Sequence, residues 1–409
     1  MHVTTDKGRN YLIVNLKSYC KLNEVERLLL EPGRKLDNHC QWKFSSHCSS
    51  VLCQCNQFKN GAAEGNLCAP LCDSQEQFLF LCQTYHTTKE AVFKVTWGDV
   101  HFILKSAVSN IPSLHWYDNG ILKYPSEKEF LSTIKAVTRN MLNYTLPNTT
   151  ISKLAYLRPK QRDMNNRVRR IEMDNIWILI QDNEYLMSKV YTDRHIFPQI
   201  MGTCGSYFGL EYVEPISEAY SFLYDKDTKE NWKKNVKFSI MILELLEELD
   251  NFVQPLHLCD VKLRDFGVTD PENGRAKILD LDTIYSKAIV SNFINDMGKC
   301  KSDSDCRYLD CRSRCDKKTN KCNKFVTNNN LQIVCEKIFL GWKMSNKVLL
   351  PGLLLSKYAP DELMTALRQC ANPKGEEGEP REAASEDVRK QIYNVLVEID
   401  QYVETESVT

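Results

Sequence analysis

No stretch of about 18 consecutive apolar residues occurs in this chain, so the sequence offers no membrane-spanning helix. The N-terminus, Met1-His2-Val3-Thr4-Thr5-Asp6-Lys7, lacks a basic segment followed by a long apolar one, which excludes an ordinary secretory leader within these residues. Net charge is missing too: 53 lysines and arginines balance 53 aspartates and glutamates. Nothing global therefore favours nucleic acid or an anionic membrane, and no nucleic-acid partner is expected. No internal repeat is evident, so repeat architectures are set aside. What remains is ordinary for a globular protein, with 409 residues, 43% of them hydrophobic and 26% charged, enough for one large domain or two smaller ones.

Cysteine is the exception. The chain has 17, and all but Cys204 and Cys259 fall into two clusters. Cys20, Cys40, Cys48, Cys53, Cys55, Cys68, Cys72 and Cys82 crowd the N-terminal fifth, and Cys300, Cys306, Cys311, Cys315, Cys322, Cys335 and Cys370 the C-terminal third. Such density points to disulfides and an oxidising compartment, where thiols pair rather than stay reduced. Zinc is the alternative, because Cys53-Gln54-Cys55 and Cys311 to Cys315 have ligand-like spacing, but no second CxxC pair or HxxxH partner follows. An odd total leaves at least one thiol free or intermolecular, and the pairing is not legible from spacing. The sequons Asn143-Tyr144-Thr145 and Asn148-Thr149-Thr150 make Asn143 and Asn148 glycosylation candidates in such a compartment. A secretory address without a leader is a conflict, resolved most simply by a chain that starts downstream of a leader or anchor.

Local patterns place the main elements. Residues 90–97 alternate apolar and polar, Gly98-Asp99 is a turn, and Val100 to Lys105 reads as a second strand, together a hairpin. Ser126 and Glu129 form a capping box that opens a helix over 127–142. A basic loop around 158–170 precedes a helical run over 171–191. A long helix spans about 229–252, with Trp232, Val236, Ile240, Leu243, Leu246 and Leu249 at helical spacing. Two short hydrophobic strands follow, at 256–259 and 277–281. Residues 373–385, with Gly375, Gly378 and four glutamates, read as a flexible linker before a helical tail.

The chemistry is concentrated between Leu256 and Asp282. Asp260 ends a strand, Lys262 follows two residues on, Asp265 five, and Asp280 twenty, after a second strand. This resembles the protein-kinase catalytic loop H-R-D-x-K-x-x-N and its metal-binding D-F-G. Phosphoryl transfer needs a carboxylate to orient the attacking hydroxyl, a lysine near the moving phosphate, and oxygen ligands that hold Mg²⁺ against the phosphates. In this resemblance Asp260 and Lys262 take the catalytic roles and Asp265, Asp280 and Asp282 the metal. Upstream, Asn183-Glu184-Tyr185, the loop His195 to Gly205 and the strand Phe208 to Val213 resemble a kinase helix C and the approach to its hinge. Lys105, ending Phe102-Ile103-Leu104-Lys105, would then pair with Glu184, while Glu211 and Val213 would offer backbone hydrogen bonds to adenine. The implied cofactor is ATP with Mg²⁺ or Mn²⁺.

The wider pattern is similar to the divergent protein kinase domain family, in its cysteine-rich endoplasmic-reticulum branch with an EF-hand-like insert. The residues that carry the likeness are Met201-Gly202-Thr203-Cys204-Gly205, Cys259-Asp260, and the cluster from Cys300 through Cys306, Cys311 and Cys315 to Cys322. The resemblance covers residues 45–372 or so and implies an α+β, bilobal protein-kinase-like fold. Its parts would be a cysteine-rich N-terminal region at 1–82, an N-lobe at 83–213 with a helical insert near 127–177, a disulfide-rich C-lobe at 214–372 with the cysteine cluster at 300–335, and a linker and helical tail at 373–409. It further implies the endoplasmic reticulum or Golgi lumen and a type II membrane anchor. The EF-hand-like loop would use Gln161, Asp163, Asn165 and Glu172. Arg162, Arg167, Arg169 and Arg170 oppose a divalent cation there, so calcium is not expected and the loop reads as a basic connection between helices.

Four departures from the kinase pattern bear on activity. The segment Gln83 to Lys89 has no glycine where kinases fold backbone over phosphates. Cys259 stands at the catalytic arginine position, Asp282 replaces the D-F-G glycine, and no A-P-E separates Asp280 from Cys300. Three functions stay open: a luminal kinase acting on a protein or glycan hydroxyl, a pseudokinase scaffold, and a disulfide-stapled structural or calcium-responsive protein.

Overall fold

The computed structural model describes residues 2–6, 9–14, 51–73, 78–84, 92–107, 111–159, 166–216, 227–270, 274–344 and 347–407. Helices and antiparallel sheets are mixed, and the chain divides into two compact units. The first gathers Met1–Arg139 and Thr145–Tyr212, the second Asn140–Tyr144 and Val213–Thr409.

The first unit is built on an antiparallel sheet in the order His2–Asp6, Arg9–Val14, Phe78–Thr84, Val92–Trp97, Val100–Ser106, Tyr207–Glu211, Ile200–Cys204. Period-two alternation puts Phe93, Val95, Phe102 and Leu104 on one buried face, where Phe93 lies opposite Leu104 and Val95 opposite Phe102. Two short helices, Val51–Lys59 and Cys68–Asp73, supply the other half of that core through Cys55, Leu71 and Cys72, with Leu67 from the turn just before the second. Disulfides Cys55–Cys72 and Cys68–Cys204 hold them, the second to the strand Ile200–Cys204. Gly65 (φ +151°) sits so close to that strand that a Cβ would fall 2.0 Å from the Thr203 carbonyl oxygen, which only glycine avoids.

The capping box opens the helix Glu127–Leu142 as expected, with the Glu129 N–H donating to Ser126 Oγ at 3.3 Å and the Ser126 N–H to Glu129 Oε2 at 2.7 Å. The helical run expected over 171–191 is instead two helices, Asn166–Ile180 and Asn183–Val190. Asp182 divides them, because its carboxylate accepts the Tyr185 N–H at 3.0 Å and so caps a new helix rather than continuing the old one.

In the second unit the helix Lys229–Asp250 buries Trp232, Val236, Ile242, Leu246 and Leu249. After it Leu256–Leu258 pairs with Ile284–Ser286, and Phe266–Val268 with Ala276–Ile278. Disulfides Cys300–Cys315 and Cys306–Cys322 close the cysteine cluster over Val290, Ile294 and Val326, while Cys259–Cys311 and Cys335–Cys370 bind it to its surroundings. Cys311 and Cys315, whose spacing suggested zinc, thus have different disulfide partners. Residues 373–385 are not a free linker. Arg381 is buried and donates to the carbonyls of Cys306 (3.1 Å) and Ser313 (2.5 Å), Glu376 pairs with Arg314, and Arg312 donates to the Pro380 carbonyl at 2.8 Å. The arginines of the cluster need buried acceptors, and this segment supplies them. The helix Glu386–Ser407 then packs on Lys229–Asp250, with Arg389 bound to Asp250 at 2.9 Å and Tyr393 to Glu244 at 3.1 Å. Among the described residues no helix is long and apolar enough to cross a membrane.

Candidate functional site

Lys105 and Glu184 meet in the first unit. Lys105 lies on the strand Val100–Ser106 opposite Phe208, and Glu184 in the first turn of the helix Asn183–Val190. Their Nζ–Oε1 distance is 2.5 Å, with the Glu184 side chain 1% exposed and that of Lys105 13%. A carboxylate this deep needs a charged partner, since burying it alone costs several kcal/mol. Tyr185, the next residue, packs edge-on against Phe208 at 5.6 Å and fixes the helix to the sheet. At the end of the strand Tyr207–Glu211, the Glu211 N–H donates to the Gln199 carbonyl at 2.8 Å, so that donor is already committed. Val213 is buried at the start of the second unit, where Gly267 gives it room: a Cβ there would meet Val213 Cγ1 at 2.9 Å.

The second unit brings Asp260, Asp265 and Asp280 together around one pocket, walled by Leu258, Phe266, Ile278 and Ile284. Short strands build it. Asp260 and Lys262 follow the strand Leu256–Leu258, Asp265 ends a single helical turn that leads into Phe266–Val268, and Asp280 follows Ala276–Ile278. Lys262 Nζ binds Asp260 Oδ2 at 2.5 Å. Asp265 is buried, and it accepts the Lys262 N–H at 3.1 Å while its carbonyl takes the Leu279 N–H at 2.7 Å. Burial, then the charge of Asp280, pushes its carboxyl up to about 7. Asp282 does not line the pocket. Its N–H donates to Asp280 Oδ1 at 3.3 Å and its carbonyl accepts the Tyr285 hydroxyl at 2.7 Å. A set of carboxylate oxygens with one of them buried against another fits a hard divalent cation, which would relieve the repulsion that lifts Asp265.

The other expected sites fare differently. Gln161, Asp163 and Asn165 of the EF-hand-like loop lie outside the described residues. Glu172 is described, and its buried carboxylate is committed to Arg158 and to Arg169, the latter at 2.8 Å. One of the loop arginines that argued against calcium in the sequence, Arg169, is thus a partner of its last acid. Asn143 and Asn148 are both exposed.

His257, next to the pocket wall, was not singled out in the sequence. It is 8% exposed, and its Nδ1 has no hydrogen-bond partner among the described residues. Burial, helped by the charge of Lys287, pulls its imidazole from an ordinary 6.5 down to about 4. A lowered base is stabilising while neutral, so this contribution is whole above pH 6.5 and is lost as pH falls through about 4. The expected cost is about 3 kcal/mol across that window, and His257→Phe should flatten this acid limb in denaturant unfolding at pH 7, 5.5 and 4. An unchanged limb in the variant would reject this account.

A family model described as the protein-kinase domain of FAM69 matches residues 176–373. A second, described as the N-terminal cysteine-rich ER region of FAM69, matches residues 38–155. Among solved structures, a Mycobacterium tuberculosis protein in complex with erythromycin aligns with 49% of this chain at 14% identity and a TM-score of 0.22, too low to bear on the fold. The chain spans 44% of that protein's length. The two FAM69 regions follow one another along the chain, the cysteine-rich one first. The chain therefore belongs to the FAM69 family, divergent protein-kinase-domain proteins with a cysteine-rich ER N-terminal region.

Proposed function

We propose that the chain is a phosphotransferase of the endoplasmic-reticulum or Golgi lumen, moving the γ-phosphate of ATP to a hydroxyl of a luminal protein or glycan. The observation that carries this reading is the convergence of Asp260, Asp265 and Asp280 on one pocket, with Lys262 bound to Asp260. Asp260 would orient the acceptor hydroxyl and take its proton as the new oxygen–phosphorus bond forms and the bond from the γ-phosphorus to the bridging oxygen breaks, with ADP leaving. Lys262 would sit by the transferring phosphate, and Lys105, held by Glu184, would bind the nucleotide phosphates. Asp265 and Asp280 would hold Mg²⁺ or Mn²⁺, which when bound neutralises phosphate charge. Glycans at Asn143 and Asn148 and a membrane anchor belong to the same luminal reading.

A scaffold without transfer is the second reading, favoured by the absence of glycine from Gln83 to Lys89. Thermal denaturation of the secreted, full-length chain with ATP and Mn²⁺ tests the first. Saturating nucleotide with metal should stabilise it by about 2–3 kcal/mol at a hundredfold excess over Kd, and Asp280→Ala should lose that rise. No metal-dependent stabilisation of the wild type would overturn nucleotide binding.

A further inference from the structure

Beyond the pocket itself, the cysteine cluster reaches the catalytic loop through one hairpin, Arg307–Tyr308 and Cys311–Arg312, joined by the two-residue turn Leu309-Asp310. The turn touches the loop on both sides of Asp260. The Asp310 N–H donates to the Cys259 carbonyl at 2.7 Å, and the Val261 N–H donates to Asp310 Oδ2 at 2.8 Å. Cys311, the next residue, is disulfide-bonded to Cys259. Asp310 is 8% exposed, and Lys337 Nζ lies 2.8 and 2.7 Å from its two oxygens, so its charge is balanced where it sits. Leu309 holds φ +52°, the left-handed region a leucine adopts at a cost of about 1–2 kcal/mol, so the turn is kept in this shape against a local preference. Asn330 secures the strand just before, accepting the Leu258 N–H at 2.9 Å and donating to the Leu256 carbonyl at 2.7 Å. Asp260 itself is left with its side chain 32% exposed and bound to Lys262.

We infer that this hairpin is a clamp on the catalytic loop, with Asp310 and the Cys259–Cys311 bond as positioning elements for Asp260. The inference rests on the role given to Asp260 above. Regulated kinases steady this loop by an arginine that binds a phosphate on the activation segment. Here the arginine position is a cysteine, and a covalent bond with a buried carboxylate holds the loop without any phosphorylation. The clamp therefore belongs to a chain that works in an oxidising lumen and is permanently set.

The test uses three variants of the full chain: Asp310→Asn, Asp310→Asn with Lys337→Met so that no buried lysine is left unpaired, and Cys259→Ser with Cys311→Ser. Hydrogen exchange of peptides covering 256–262 is measured beside kcat and the ATP KM for phosphate transfer. Exchange in 256–262 should rise about tenfold in the Asp310 variants, the loss of a charged hydrogen bond, and about tenfold or more in the variant without the Cys259–Cys311 bond, with the sheet of the first unit unchanged. The kcat should fall about tenfold or more with KM within twofold. Unchanged exchange in both Asp310 variants overturns the clamp, as does a rise in KM with kcat intact. Should the wild type transfer no phosphate while exchange responds as stated, the transfer reading fails and the clamp on the loop stands.

Discussion

Replacing Asp260 by asparagine should lower phosphate transfer about 10²- to 10⁴-fold while leaving the metal- and ATP-dependent rise in melting temperature in place. Asparagine has the shape of aspartate and can still accept from Lys262, now 2.5 Å from Asp260 Oδ2, so the loop keeps its form. It cannot take a proton from the attacking hydroxyl. The proposed metal ligands Asp265 and Asp280 are untouched, and the Lys105–Glu184 pair is undisturbed. Asp280→Ala differs in kind, because it removes a proposed metal ligand and should lose binding and transfer together. The pair of variants thus separates an enzyme from a nucleotide-binding scaffold in one series, measured as radiolabelled phosphate incorporated per minute beside thermal shift. Equal incorporation by wild type and Asp260→Asn would assign the phosphate to another kinase in the preparation and remove the enzymatic reading.

The elements that were legible in the sequence are those set by neighbours along the chain. Alternation gave the hairpin of Val92–Trp97 and Val100–Ser106, and the Ser126–Glu129 box gave the start of the helix Glu127–Leu142. Asp260, Lys262 and Asp265 lie within six residues, and a strand pair suffices to turn Asp280 toward them, so motif order was enough to find the pocket. What was missed depends on partners far along the chain. Cys259 meets Cys311 across 52 residues, and no spacing rule chooses that partner among the other cysteines. Residues 373–385 read as a linker because glutamate and glycine usually mark solvated chain. The buried Arg312 and Arg381, and Arg314 beside them, turn the same glutamates and carbonyls into acceptors. Sequence adjacency alone places Asp282 with the ligands, whereas in the fold it lies outside the pocket lining, with its N–H on Asp280 Oδ1 and its carbonyl on the Tyr285 hydroxyl.

Removing the Cys68–Cys204 bond should cost more stability than removing any short bridge. The chain-entropy estimate grows with the loop closed, giving about 5 kcal/mol for its separation of 136 residues and about 3 kcal/mol for the 17 between Cys55 and Cys72. Both cysteines of the long bridge are at most 1% exposed, so Cys68→Ala with Cys204→Ala also leaves unfilled space in the core. Denaturant unfolding of this double variant and of Cys55→Ala with Cys72→Ala, at one pH and with the slopes compared, should rank the long bridge as the larger loss. Equal losses would show that strain or packing, rather than loop closure, sets their worth. The bridge matters for the site because the core it closes includes Phe102 and Leu104, on the strand that carries Lys105. Loosening the cysteine-rich helices therefore loosens the seat of the Lys105–Glu184 pair. The variant lacking the long bridge should lose part of its ATP-dependent thermal shift even though every residue proposed to touch the nucleotide is intact. In this chain the Cys68–Cys204 bridge and the strand of Lys105 share one core, so under the proposed function the bridge would also bear on the strength of nucleotide binding.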